Sequence, residues 1–137
     1  MTVPGNQEEF KSLFEPMREG FSVHKNVSHN FLQRASESAD KPAVRFKESK
    51  SSYQDMSWGQ YADLVRQIAF GLAAHGLEPG GTAAIFSAGT HLWIAADFAI
   101  IANGGKSTPI YPTSSQSDIE AILSNSEASF VFVRTKN

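Results

Sequence analysis

The stretch AAIFSAGTHLWIAADFAIIANGGKSTPIYPTSSQSDIEAILSNSEASFVFV, residues 83–133, decides the fold. It opens on an apolar run at 83–86 that reads as a small buried strand. Residues 91–103 are then apolar on nearly every helical face, the pattern of a helix buried on more than one side. Gly104 and Gly105 stop that helix. Residues 107–111 read as a second strand that ends at Pro112. Ser115 caps a further helix, with Asp118 three residues on to complete a capping box, and Ile119, Ile122 and Leu123 as its buried face. Residues 130–133 are a third apolar strand. Strand, helix, strand, helix, strand predicts a parallel sheet with right-handed crossovers. Parallel strands need cover on both faces, which matches the continuous apolar runs.

Working upstream, Pro79, Gly80 and Gly81 form a turn, and Gly76 suits a left-handed helix cap. The helix before it is the clearest element. Ser57 caps it, Gln60 completes a capping box, and Trp58, Tyr61, Ala62, Val65, Ile68, Ala69 and Leu72 recur at helical spacing. Two short strands precede it, at 43–46 and 53–56, joined by a polar turn over 47–52. Ser28 reads as the N-cap of a helix to about residue 38 that buries Phe31, Leu32 and Ala35. Residues 1–27 read as a partly helical lead-in, with Phe10, Leu13, Phe14 and Met17 on one face before Gly20. The expected organisation is this lead-in followed by an α/β subdomain over residues 28–137.

Composition narrows the function. Of the 137 residues, 41% are apolar and 19% charged, so the chain folds around a real core. A net charge of −2, with no basic block or basic-aromatic stripe, argues against nucleic acid as a partner. With no cysteine there are no disulfides, thiolate metal sites or thiol nucleophile. The N-terminus is polar and acidic rather than a secretory leader. The longest apolar run, 92–102, is too short to span a bilayer and contains Asp97. A cytoplasmic protein is expected.

The most tempting motif is a decoy. Gly105-Lys106-Ser107 ends like a phosphate-binding loop, but the first glycine such a loop needs is Ile100. A helix also precedes the motif and a strand follows it, the reverse of the order that aims backbone N–H groups at phosphate. No dinucleotide-binding glycine pattern occurs. His24, His29, His75 and His91 share no zinc-ligand spacing. His75 precedes a helix-ending glycine and suits the negative end of the helix dipole. Asp97, inside an apolar helix, is expected to be hydrogen-bonded or at an edge. Asn26-Val27-Ser28 matches a glycosylation sequon by coincidence. Tyr111-Pro112-Thr113-Ser114-Ser115 is notable for its position, joining the carboxyl end of a parallel strand to a capped helix, where open α/β sheets bind ligands.

Taken in order, these pieces resemble the N-terminal part of AMP-forming acyl-CoA synthetases, the adenylate-forming enzymes, and in particular long-chain fatty acid–CoA ligases. The resemblance runs from about residue 28 to 133. It rests on Lys41-Pro42-Ala43-Val44, Tyr53, Ser57-Trp58, Gly76-Leu77-Glu78-Pro79-Gly80 and the Trp93 to Ala102 helix. It continues through Gly105 to Ser115, Ile122-Leu123-Ser124-Asn125-Ser126-Glu127-Ala128 and Val131-Phe132-Val133. The order and spacing carry it, and Tyr111-Pro112-Thr113-Ser114-Ser115 is the piece most suggestive of the long-chain branch. Gly81, Gly89 and Leu92 depart from the family's usual Asp, Asn and Glu, all at turn or helix-start positions.

The resemblance implies the first subdomain of the family's large domain, and an intact enzyme that joins a fatty acid to CoA. In such an enzyme a carboxylate attacks the α-phosphate of ATP with Mg²⁺ present, and CoA then displaces AMP. The family's phosphate-binding loop, aromatic-Thr-Glu motif, ribose-binding Asp and mobile-domain lysine have no counterpart here. The chain is therefore expected to be a truncated, catalytically inactive scaffold that holds neither ATP nor Mg²⁺ tightly. The resemblance places Tyr111, Pro112 and Thr113 beside the CoA channel. It leaves open peripheral membrane contact of the intact enzyme and a homodimer through uncovered sheet edges. The competing reading is a stand-alone, non-catalytic α/β binding module.

Overall fold

The computed structural model describes residues 27–47 and 52–134. The expected lead-in, apart from Val27, and most of the turn over 47–52 lie outside the described residues. Helix α1 spans Val27–Glu37, strands β1 and β2 span Pro42–Lys47 and Tyr53–Ser57, and α2 spans Trp58–Ala74. Strand β3 (Thr82–Phe86), α3 (His91–Ala102), β4 (Lys106–Ile110), α4 (Gln116–Ser126) and β5 (Phe130–Val133) follow.

The three later strands form the expected parallel sheet, in the order β4-β3-β5. The chain steps from β3 out to β4, then back across β3 to β5. Right-handed crossovers therefore put α3 and α4 on opposite faces. Central β3 is buried from Thr82 to Ile85, with Ala83, Ala84 and Ile85 at 1% exposure or less, and half-buried at Phe86. On the α3 face, Ala83, Ile85, Phe130 and Phe132 meet a core built from Phe31, Tyr61, Val65, Leu72, Ala96 and Ile100. Phe31 is its hinge point, stacked on Phe98 at 4.4 Å and edge-on to Tyr61 at 5.6 Å. Strands β1 and β2 pair antiparallel as a separate two-stranded sheet beside α2.

The opposite face is thinner than expected. Ile119, Ile122 and Leu123 of α4 are half-buried rather than buried. Val131 and Val133, which alternate away from the core, are 45% and 59% exposed.

Helix ends follow the sequence closely, with one correction. Ser57 Oγ accepts from the Gln60 N–H while the Gln60 side chain accepts from the Ser57 N–H, the expected capping box. Helix α2 ends in a Schellman motif, in which the Leu77 N–H reaches the Leu72 carbonyl at 2.9 Å and the Gly76 N–H that of Ala73 at 3.0 Å. Gly76 stands at φ +92°, where a side chain is strained. His75 Nδ1 lies 2.8 Å from the Gly71 carbonyl, so its ring caps the same helix end. Helix α3 closes with the same bonding, Gly105 N–H to Ile100 and Gly104 N–H to Ile101. Ser28 does not act as the N-cap. It lies inside α1, buried, and its hydroxyl donates to the Phe98 carbonyl at 2.8 Å, tying α1 to α3. A serine near a helix start has two uses for its hydroxyl, and here the packing against α3 selects the tertiary one.

Candidate functional site

Because β3, β4 and β5 run parallel, their carboxyl ends open on one edge of the sheet. Ser87, Tyr111 and Arg134 are the first residues past them. Tyr111, Pro112, Thr113 and Ser114 form a turn there, closed by the Ser114 N–H donating to the Tyr111 carbonyl at 3.0 Å. Proline fits the second position of such a turn because its ring fixes φ near the required value. Tyr111 is 73% exposed, and Pro112 and Thr113 are exposed with it. All three residues are therefore exposed at the carboxyl edge of the sheet.

The start of α4 behind this turn is already occupied by a carboxylate of the chain. Asp118 Oδ2 accepts from the Ser115 hydroxyl at 2.6 Å and from the Ser115 N–H at 3.2 Å. Those two bonds, the hydroxyl's first, hold the Asp118 carboxyl below its ordinary value. The positive end of the helix dipole is thus answered from within. An external anion at the turn would meet the Asp118 carboxylate.

A second feature lies along the same edge. A hollow of about 540 Å³ is bordered by Arg45, Phe46, Lys47, Thr90, His91 and Arg134. The His91 ring stacks on Phe46 at 3.9 Å and 25°. Burial, and then the positive charge of Arg134, push the His91 imidazole below its ordinary value, which favours the neutral ring. Arg45 is held by a two-pronged pair with Asp55, at 2.5 and 2.7 Å. Tyr61 braces the start of α3 by donating to the His91 carbonyl at 2.7 Å, and burial pushes its phenol up to about 12. The sequence reading did not bring Phe46, His91 and Arg134 together. They come from β1, α3 and the residue just past β5, far apart in the chain, and Thr90 caps α3 beside them by accepting from the Trp93 N–H at 3.3 Å.

The decoy sits elsewhere. Lys106 opens β4 at the amino edge of the sheet, where its N–H donates to the Gly81 carbonyl at 2.8 Å. A Cβ on Gly105 would lie 3.0 Å from Ile100 Cγ2 and 3.1 Å from its carbonyl oxygen. Gly105 is there for close packing, with no phosphate role. Asp97 accepts a hydrogen bond from the Ser107 hydroxyl and links α3 to β4. Among the described residues no three His, Asp or Glu side chains are placed to share a metal ion. No helix among them is long and apolar enough to cross a membrane.

Comparison with known proteins agrees with this architecture. A family model described as AMP-binding enzyme matches residues 31–137. A long-chain-fatty-acid–CoA ligase (FadD15) of Mycobacterium bovis is 37% identical over 83 residues, which cover 61% of this chain and 14% of that relative. The fatty acid AMP ligase of Legionella pneumophila superposes with a TM-score of 0.70 at 24% identity, over 80% of this chain and 21% of its own. The O-succinylbenzoate coenzyme A synthetase of Bacillus subtilis, solved with AMP, gives 0.66 at 23%, over 74% and 25%. The chain thus spans a small part of the length of the relatives it matches. A family match over most of the residues, on a fold those enzymes share, leads to one conclusion: the chain belongs to the AMP-binding enzyme family.

Proposed function

We propose that this chain is the scaffold segment of an ATP-dependent long-chain fatty acid–CoA ligase, the enzyme type that turns a carboxylate, ATP and CoA into acyl-CoA, AMP and pyrophosphate. The observation that carries the proposal is the Tyr111-Pro112-Thr113 turn, exposed at the carboxyl edge of a parallel sheet in a chain similar to such a ligase. On this reading the turn borders the uncharged arm of CoA. Asp118 behind it turns away the charged end, and the aromatic face of Tyr111 gives the arm something flat to lie against.

The described residues do not fit Mg²⁺. Among them no three His, Asp or Glu side chains come together, and Asp55 and Asp63 are paired with Arg45 and Arg66. A hard cation needs several free oxygens. Adenylate formation is accordingly assigned to parts of the ligase beyond these residues, and this segment acts by holding the sheet edge rigid.

Tyr111→Ala and Thr113→Ala in the intact ligase test the assignment. The expected result is a several-fold rise in the apparent KM for CoA, with the KM for ATP unmoved. An unchanged KM for CoA in both variants overturns the role of the turn.

A further inference from the structure

The parallel sheet ends in two edge strands of unlike character. Strand β4 is blunted, because it opens on Lys106 and carries Pro109. The Lys106 N–H donates inward to the Gly81 carbonyl, so by alternation Ser107 and Pro109 aim their backbone groups outward. Proline has no N–H to offer an added strand there. Strand β5 has no such guard. Residues 128–133, Ala-Ser-Phe-Val-Phe-Val, contain no charge and no proline. Since Gly81, Ala83 and Ile85 turn their polar groups toward β4, Thr82, Ala84 and Phe86 turn theirs toward β5. Ala83 sits opposite Phe130, so Phe130 and Phe132 bond to β3, while the N–H and C=O of Val131 and Val133 point away from it. No strand lies beyond them among the described residues.

The side chains suit an added strand as well. Val131 and Val133 are exposed on one face of the edge. On the other face a hollow of about 350 Å³ is lined by Ile68, Gly71, Leu72, His75, Phe130 and Phe132. A sheet takes up an extended segment through such an edge, with backbone bonds for hold and alternate side chains for fit.

We propose that the occupant is β5 of a second copy, paired antiparallel about a two-fold axis that passes through Phe132 perpendicular to the sheet. This register sets Val131 opposite Val133 of the second copy, and each such pair exchanges both of its N–H and C=O groups. No outward group of either valine is left over. Valine meets valine on the exposed face, and the Phe132 rings meet beside the hollows. The antiparallel direction also sets Arg134, past the end of one strand, beside the start of the other, where Glu127 closes α4. A four-residue edge buries less than the roughly 1,200 Å² of a stable pair, so the dimer is weak and forms as concentration rises. The inference concerns the 137-residue chain and does not rest on the ligase reading.

The chain has no native cysteine, so introduced thiols report alone. Chains carrying Val131→Cys and chains carrying Val133→Cys are mixed and mildly oxidised. The mixed disulfide should form at least tenfold faster than either variant bridges with itself, because only the mixed pair stands directly opposite. Equal rates, no bridging, or faster bridging within one variant each overturn the proposal. Sedimentation equilibrium of the cysteine-free chain gives the second readout. The parent mass should rise reversibly toward the dimer between micromolar and millimolar concentration. Val131→Pro removes an outward N–H without touching the β3 ladder, and should hold the mass at the monomer with circular dichroism retained. A parent that stays monomeric throughout, or a folded Val131→Pro that still dimerises, overturns it as well.

Discussion

Gly71 and Gly76 lie five residues apart at the end of α2, yet alanine should act on them with opposite sign. Gly71 is a helical residue, and a Cβ added there meets nothing within 4 Å. The methyl would enter an apolar hollow bordered by Ile68, Leu72 and Phe130. Gly71→Ala restricts the unfolded chain and removes the helix-interior penalty of glycine, so it should stabilise by about 0.5–1 kcal/mol. A Cβ on Gly76 also meets nothing within 4 Å, but the backbone there stands at φ +92°. Gly76→Ala therefore isolates backbone strain, with no steric contact to confuse it, and should destabilise by about 1–2 kcal/mol. With an unfolding entropy of about 2.1 cal/mol/K per residue, 1 kcal/mol moves Tm by about 3.5 °C at this length. The two variants should melt about 5–10 °C apart on either side of the parent. Urea unfolding followed by circular dichroism at 222 nm, with an unchanged slope, gives the same ordering. A destabilised Gly71→Ala or a neutral Gly76→Ala would refute the Schellman assignment and the placement of α2 with it.

Ser28→Ala should cost about 1 kcal/mol by removing the bond to the Phe98 carbonyl, and a cap-like loss confined to α1 helicity would contradict the tertiary role. His91 makes stability pH-dependent. Its folded pKa lies below the ordinary 6.5, so the unfolded chain takes the proton first. Stability should fall as pH drops through about 6.5, and His91→Gln should flatten that decline in a Tm-against-pH series. Arg134→Ala should raise the His91 titration point read by NMR, because it removes the second-ranked cause of the depression. Val131→Lys on exposed β5 should abolish any concentration-dependent mass seen by light scattering, whereas self-association that survives it places the contact elsewhere.

Much of this fold was legible because its signals are local. Ser57 with Gln60, Ser115 with Asp118, Gly76, and the paired Gly104 and Gly105 each declare a helix end within a few residues. The alternating elements after residue 82 allow few topologies, and the parallel sheet followed. What was missed is what depends on distant partners. Ser28 looks like a cap until Phe98, 70 residues on, is packed beside it. The half-exposure of Ile119, Ile122 and Leu123 reflects how little else covers the α4 face, and no helical pattern encodes that. At the carboxyl edge, the sequence singled out Tyr111, Pro112 and Thr113 by position. It gave no sign that Phe46 and His91 stack beside Arg134, since that grouping exists only once β1 lies against α3.

The chain has the fold of an AMP-binding enzyme, and the proposed reading leaves the nucleotide chemistry to the rest of the ligase. Titration calorimetry of the 137-residue chain with ATP and Mg²⁺ tests it most directly. The account predicts no saturable heat at up to millimolar nucleotide, and a dissociation constant in the micromolar range would contradict it.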